Sequence, residues 1–258
     1  AGHPSALHFR ASDQGIRHLE STTFPLGIFA NISAAVQPID MEPGDVLVLY
    51  SDGLTEVEDH KARLLGLGGV GQVLLTLHNI SAEGILERMQ VVHAQHQGEF
   101  VESDDMTIVV IKRQSDTIKE PKRYLHWRIE GESAQLSTIS ETLRHFVNSL
   151  NIPLNVVWFE EVHLALIEAV SNIMKHSLDP GSGYISGMYA IYDQTFEVVL
   201  VDNGKPFEWD SAPMAIDTEA PAEHGYGMHI IRDVMDSIQY QRLPGRFNHW
   251  RMVRHLPQ

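Results

Sequence analysis

Apolar positions along the chain follow two different periods. Short apolar runs separated by turn residues dominate the first part: LHF and IRHLE, then VLVLY directly after MEPGD, and later MTIVVIK. Runs this short, bounded by Gly, Pro and Asp, predict strands. Between the last two runs, Val70, Val73, Leu74 and Leu77, then Ile85, Leu86, Met89 and Val92, recur at three- and four-residue intervals with a break near Asn79 and Ser81, which predicts two helices. Farther along, YLHWRI predicts a strand, residues 133–149 an amphipathic helix (Leu136, Ile139, Leu143, Phe146, Val147, Leu150), and residues 153–177 a long helix opened by Pro153. Strands at 184–192 and 196–202 follow, then a Gly/Pro/Ala-rich stretch over 203–226, a helix at about 227–236 and a terminal hairpin. Both halves read as α+β.

The two halves meet at KRQSDTIKEPKR, residues 112–123, a charge-rich run with one aliphatic side chain and a proline. This places domains at 1–113 and 122–258 with a linker at 114–121. A length of 258 residues suits two domains at about 100–200 residues each. Lys and Arg number 7 against 15 Asp and Glu in residues 1–113, and 12 against 19 in residues 114–258, so neither half is a basic tail. The net charge of −15 repels phosphate backbones and anionic lipid, which argues against direct nucleic-acid or membrane binding and requires a metal ion beside any phosphate ligand. Zero cysteines exclude disulfides, thiol catalysis and Cys-containing zinc sites. No apolar stretch is long enough to span a bilayer and no secretory leader is visible, so the cytoplasm is the default location. The start at Ala1, inside a strand-rich region, leads us to expect a fragment of a longer protein.

The long helix contains Glu168, Asn172 and His176 at four-residue spacing, so a carboxylate, an amide and an imidazole share one stripe while Ile167, Val170, Ile173 and Met174 serve the core. By itself such a trio is an ordinary solvated face. Downstream, EVVLV ends in Asp202-Asn203-Gly204, a strand delivering a carboxylate to a flexible turn, and His224-Gly225-Tyr226-Gly227 places two glycines before a helix whose amides suit an anion. Together, EAVSNIMKH, DNGKPF and GYGMHII resemble the N, G1 and G2 boxes of the GHKL (Bergerat) ATPase α/β sandwich, and within that group the match is nearest the anti-sigma-factor serine kinases of the RsbW and SpoIIAB type. The resemblance covers most of residues 122–258. It implies that Asn172 ligates a Mg²⁺ ion bridging the ATP phosphates, that Glu168 is the base toward a substrate hydroxyl, and that Asp202 accepts the adenine amino group. It also implies that Gly204, Gly225 and Gly227 shape the nucleotide pocket, with His176 the least determined member. Phosphoryl transfer needs a metal, anion-binding amides and a base, which these residue types supply.

One departure is Pro206, where many relatives carry a second glycine; a proline there stiffens the adjoining lid. Residues 205–224 lack periodicity and match the place of an ATP lid. A sensor histidine kinase needs a dimerising helix hairpin with a phosphoacceptor histidine; residues 133–149 offer only His145 and no second hairpin helix, so that class is rejected.

In the first half, VLVLY runs into Ser51-Asp52-Gly53, and Glu102-Ser103-Asp104-Asp105-Met106-Thr107 runs into the later strand. If those strands pair antiparallel, Asp52 and Asp104 meet, and clustered carboxylates favour a hard cation such as Mg²⁺ or Mn²⁺. Each acidic turn alone is ordinary turn chemistry. As a set, AGHPSAL, FPLGI, MEPGDVLVLYSDGLTEVED and SDDMTIVVIKR resemble the C-terminal half of the SpoIIE or RsbU type of metal-dependent serine/threonine phosphatase, a β-sandwich with helices. That resemblance implies Asp52 and Asp104 as metal ligands with Asp105 beside them. The family's N-terminal strands and their bridging Asp are not in the sequence, so the phosphatase is expected to be incomplete.

The combined expectation is a partner-switching regulator: an ATP-dependent serine/threonine kinase acting on a STAS-type anti-sigma antagonist, joined to a phosphoserine phosphatase module of opposite activity. A homodimer and a sigma-factor partner follow from the resemblance. The rival readings are a nucleotide-regulated binding module for a sigma factor or antagonist, and a phosphatase whose kinase-like domain only regulates it.

Overall fold

The structure, a computed structural model, describes residues 3–25, 27–29, 35–97, 104–116, 119–130, 135–150, 152, 154–179, 183–207, 226–243 and 247–257. The chain divides into two compact units, Ala1–Glu120 and Pro121–Gln258.

The first unit holds strands β1 (Ala6–Arg10), β2 (Gly15–Leu19), β3 (Val46–Tyr50) and β4 (Ile108–Lys112), with helices α1 (Gly66–Leu77) and α2 (Ala82–His96). The strands form one antiparallel sheet in the order β2-β1-β3-β4, with Val46 opposite Lys112 and Tyr50 opposite Ile108. The core joins Leu7, Phe9, Val46, Val48 and Tyr50 of the sheet to Val70, Val73, Leu74, Leu77, Ile85 and Met89 of the helices. The two helices are separated at the predicted break, where the Ser81 side chain caps α2 by accepting from the Gly84 amide. The MEPGD turn that launches β3 is fixed by a buried carboxylate: Asp45 accepts from the amides of Ala11 and Glu42 and lies 2.9 Å from His8 Nε2.

The second unit is a five-stranded antiparallel sheet in the order β5-β6-β7-β9-β8. The strands are β5 (Arg123–Glu130), β6 (Tyr184–Ile191), β7 (Thr195–Asp202), β8 (Ser237–Leu243) and β9 (Phe247–His255). Helices α3 (Leu136–Ser149), α4 (Val156–Asn172) and α5 (Tyr226–Val234) share its core. Strand periodicity decides what that face carries: along β7 it reads Phe196, Val198, Leu200 and then Asp202, so the apolar row ends on a carboxylate. Helix α4 answers with Val162, Ala165, Leu166, Ala169 and Val170, all buried at helical spacing, and Ile173 just past its end continues the row. Its start differs from the expectation. The cap is Asn155, whose side chain accepts from the Trp158 amide, while Pro153 lies outside the described residues.

The end of that helix also departs from the pattern. Residues Ile173–Ser177 form a π turn, closed by the Leu178 amide donating to the Ile173 carbonyl five residues back. A π turn is wider than an α turn. Glu168 and Asn172 keep their common stripe, and His176, inside the π turn, is exposed at the C-terminal end of the helix. Among the described residues no helix is long and apolar enough to cross a membrane.

Candidate functional site

The polar end of the second unit's sheet is organised around Asp202, which is fully buried. Its Oδ1 accepts from Ser177 Oγ (2.8 Å), Asn248 Nδ2 (2.7 Å) and the Gly204 amide (2.9 Å). Its Oδ2 is buried and has no partner among the described residues. Burial pushes the Asp202 carboxyl above its usual range, and the bonds from Asn248, Ser177 and Gly204, with the nearby Arg242 charge, offset part of that rise. An unpaired buried oxygen costs free energy until a donor reaches it. The arrangement therefore fits a ligand that brings an N–H.

Three positions make this possible. The π turn carries Ser177 to Asp202, and the Ser177 carbonyl accepts from the Lys205 amide (2.8 Å). Register places Asn248 of β9 directly opposite Asp202 of β7. Gly204 passes so close to Ser177 that any Cβ there would run into its carbonyl and hydroxyl, so the turn admits only glycine without rearrangement.

The helical stripe meets the same end of the unit from above. A Cβ at Gly227, in the first turn of α5, would lie 2.5 Å from Glu168 Oε2 and 3.2 Å from Asn172 Nδ2. The missing side chain thus leaves Glu168 and Asn172 side by side at a helix N-terminus, where backbone amides favour negative charge. Both side chains are partly exposed. A carboxylate from Glu168 and the Nδ2 end of the Asn172 amide are both presented at Gly227. Gly225 and residues 208–224 of the expected lid lie outside the described residues, whereas Pro206 is described and exposed.

Ser177 and Asn248 were not among the residues singled out from the sequence. Asn248 carried a readable signal: it falls in phase with Trp250 and Met252, a polar side chain on the core-facing side of a strand. Ser177 carried none, because only the π turn brings it to Asp202.

In the first unit β3 and β4 do pair antiparallel, and the Asp52 turn abuts the Asp104–Asp105 segment. Ser51 Oγ donates to the Asp105 carbonyl (3.0 Å) and accepts from the Thr107 amide (2.9 Å), and a Cβ on Gly53 would sit 2.7 Å from the Asp105 carbonyl oxygen. Buried His93 of α2 buttresses the turn through the Gly53 carbonyl at 3.0 Å. The side chains of Asp52, Asp104 and Asp105 are exposed, and those of Asp52 and Asp104 accept from the amides of Gly53 and Asp105 that follow them. Among the described residues no group of three or more His, Asp or Glu side chains is disposed to hold a metal ion. The acids share one end of the sheet, but the described residues do not by themselves constitute a dinuclear site.

Two antiparallel α+β units, one ending its sheet in a buried acceptor and the other in exposed acidic turns, define a two-module chain. Residues 1–114 match the family of Stage II sporulation protein E (SpoIIE), and residues 129–254 match the histidine kinase-like ATPase domain family. The first module is thus similar to the SpoIIE family and the second to histidine kinase-like ATPase domains. The second is similar to the serine-protein kinases RsbW of Bacillus cereus (strain B4264) and Bacillus thuringiensis (strain Al Hakam). Each is 25% identical over 122 residues, covering 45% of this chain and 75% of the relative. A crystal structure of the RsbU and RsbW domains of Rv1364c from Mycobacterium tuberculosis aligns with 99% of this chain at 17% identity and a TM-score of 0.39. The chain spans 64% of the length of that protein chain.

Proposed function

We propose that residues 122–258 form a Mg-ATP-dependent serine/threonine protein kinase acting on a small STAS-type anti-sigma antagonist. Residues 1–113 belong to a metal-dependent phosphoserine phosphatase module of opposite activity, so that the two govern a partner switch. The observation that carries this reading is the meeting of Glu168 and Asn172 at Gly227. Similarity to RsbW serine kinases supports the choice of a hydroxyl acceptor.

Asp202 Oδ2 accepts from the exocyclic amino group of the adenine, and the Gly204 turn lets the base approach the backbone. Asn172 and the α5 N-terminus hold the phosphate end in line with the incoming hydroxyl. Glu168 takes the proton of that hydroxyl as its oxygen bonds to the γ-phosphorus and the β–γ bridging bond breaks, leaving ADP and a phosphoserine or phosphothreonine. When bound, Mg²⁺ neutralises phosphate charge and orients the chain for transfer. No step is assigned to the phosphatase module, whose described acids do not complete a metal site.

Replacing the carboxylate isosterically tests the kinase reading against a pure binding module. Glu168→Gln should leave Mg-ATP affinity within about 3-fold while phosphoryl transfer to the antagonist falls about 10²- to 10⁴-fold. Transfer is read with labelled ATP and affinity by calorimetry. Unchanged transfer would remove Glu168 as the base, and a chain that binds ATP without ever transferring phosphate would be the nucleotide-regulated binding module instead.

A further inference from the structure

Three adjacent strands each place one polar residue at the same level of the second unit's sheet. Asp202 of β7 stands opposite Asn248 of β9, which stands opposite Arg242 of β8. Asn248 is completely buried and both ends of its amide are engaged. Its Oδ1 accepts from the Tyr240 hydroxyl (2.8 Å) and from Arg242 Nη1 (2.8 Å). Its Nδ2 reaches Asp202 Oδ1 (2.7 Å), the Lys205 carbonyl (2.8 Å) and Ser177 Oγ (3.0 Å).

The orientation of this amide follows from its neighbours. A guanidinium can only donate, so the end facing Arg242 must be the oxygen. Tyr240 agrees, because its hydroxyl oxygen already accepts from the Phe207 amide (2.7 Å) and turns its proton toward Asn248. The nitrogen is left to face Asp202. Two consequences follow. The Asp202 carboxylate is held by one oxygen with three donors, which fixes its rotation and leaves the second oxygen as an acceptor with no protein donor among the described residues. The turn after Asp202 is tied to the same point, because Asn248 also binds the Lys205 carbonyl and Arg242 Nη1 binds the Gly204 carbonyl (2.7 Å).

We propose that Asn248, oriented by Tyr240 and Arg242, is a positioning residue that makes the site select a nucleobase with an exocyclic amino donor over one with a carbonyl there. It acts by holding Asp202 in a single acceptor orientation. This rests on the nucleotide-binding reading above, and it adds a specificity determinant that touches the carboxylate rather than the base. An acceptor held rigidly rejects a carbonyl by repulsion and by its own lost hydrogen bond. An acceptor free to rotate relaxes that penalty.

The test is calorimetric titration of the 258-residue chain with Mg-ATP and with Mg-inosine triphosphate, whose base has a carbonyl where adenine has its amino group. The unsubstituted chain should prefer ATP by about 10- to 100-fold. Asn248→Ala should lower that ratio about 10-fold, mainly through lost ATP affinity. Tyr240→Phe keeps the ring against Trp250 and Phe207 while removing the hydroxyl that orients the amide. It should lower the ratio about 2- to 5-fold with an unchanged circular dichroism spectrum. If Asn248→Ala does not fold, Tyr240→Phe decides alone. A residue that merely supports the fold would weaken both nucleotides together. Ratios equal to that of the unsubstituted chain in the folded variants would overturn the role of Asn248 and leave nucleotide binding intact. An unsubstituted chain that binds neither nucleotide would overturn the underlying reading itself.

Discussion

Asp52 and Asp202 begin from nearly the same sequence and end in opposite electrostatic situations. Each follows a strand of aliphatic residues, VLVLY in one unit and EVVLV in the other, and each is followed within two residues by a glycine. Asp202 falls in phase with the core-facing row of β7, so it is carried inward and surrounded by Ser177, Asn248 and the Gly204 amide. Asp52 lies beyond the end of β3, in the 3-10 turn Asp52–Leu54, and its side chain faces solvent. The phase of one carboxylate against the sheet thus separates a buried, directional acceptor from a solvent-exposed charge. A turn dipeptide gives no such distinction by itself.

The largest way to break this contrast is Asp202→Asn. The amide oxygen would keep the three donors, leaving an NH₂ where the free acceptor was, so ATP affinity should fall about 10- to 100-fold and the preference should shift toward inosine triphosphate. Titrations at several pH values sharpen the point. Because the Asp202 carboxyl lies above the usual range, acidification through that raised value should protonate it and weaken ATP binding, and Asp202→Asn should lack this dependence. The stability of the nucleotide-free chain moves the other way. Between the ordinary carboxylate range and the raised value the folded state binds more protons than the unfolded state, so this contribution to stability falls as pH rises. Asp202→Asn removes it, which thermal melts across that range would show.

Gly53→Ala comes next. Its Cβ would press on the Asp104 and Asp105 carbonyls, which are backbone and cannot swing aside, and about 1–3 kcal/mol of destabilisation is expected in denaturant titrations. The smallest effect belongs to Asp52→Asn, which should alter stability by less than about 0.5 kcal/mol because its side chain is exposed. A large loss there would show that Asp52 is more deeply engaged than its exposure indicates.

Much of this arrangement was legible in the chain itself. Short apolar runs bounded by turn residues located the strands, the break near Asn79 separated α1 from α2, and the antiparallel pairing on which the meeting of the Asp52 turn with Asp104 was conditional is the one that the structure has. Four-residue spacing put Glu168 and Asn172 on one face, where both meet Gly227, but it gave no sign of the π turn that begins beyond Asn172. The partners of Asp202 were the least visible. Ser177 is 25 residues away and Asn248 is 46 residues away, and their encounter depends on a helix ending and on the β7–β9 register rather than on local propensity. The inward phase of Asn248 beside Trp250 announced a buried amide, but only the third dimension says what it holds.

The π turn at Ile173–Ser177 also bears on how this segment tolerates changes in length. One helix must satisfy two anchorages, Asn172 beside Gly227 and Ser177 upon Asp202, and a uniform α-helix would rotate one of them out of place. The widened turn acts as a spacer that reconciles the two. Deleting one residue from positions 173–176 would restore regular α hydrogen bonding and leave Ser177 four residues after Asn172, facing nearly the direction that the π turn gives it, so its bond to Asp202 should survive. Natural relatives and engineered variants alike should therefore accept a single-residue deletion here more readily than a single-residue insertion, which would swing Ser177 away from Asp202.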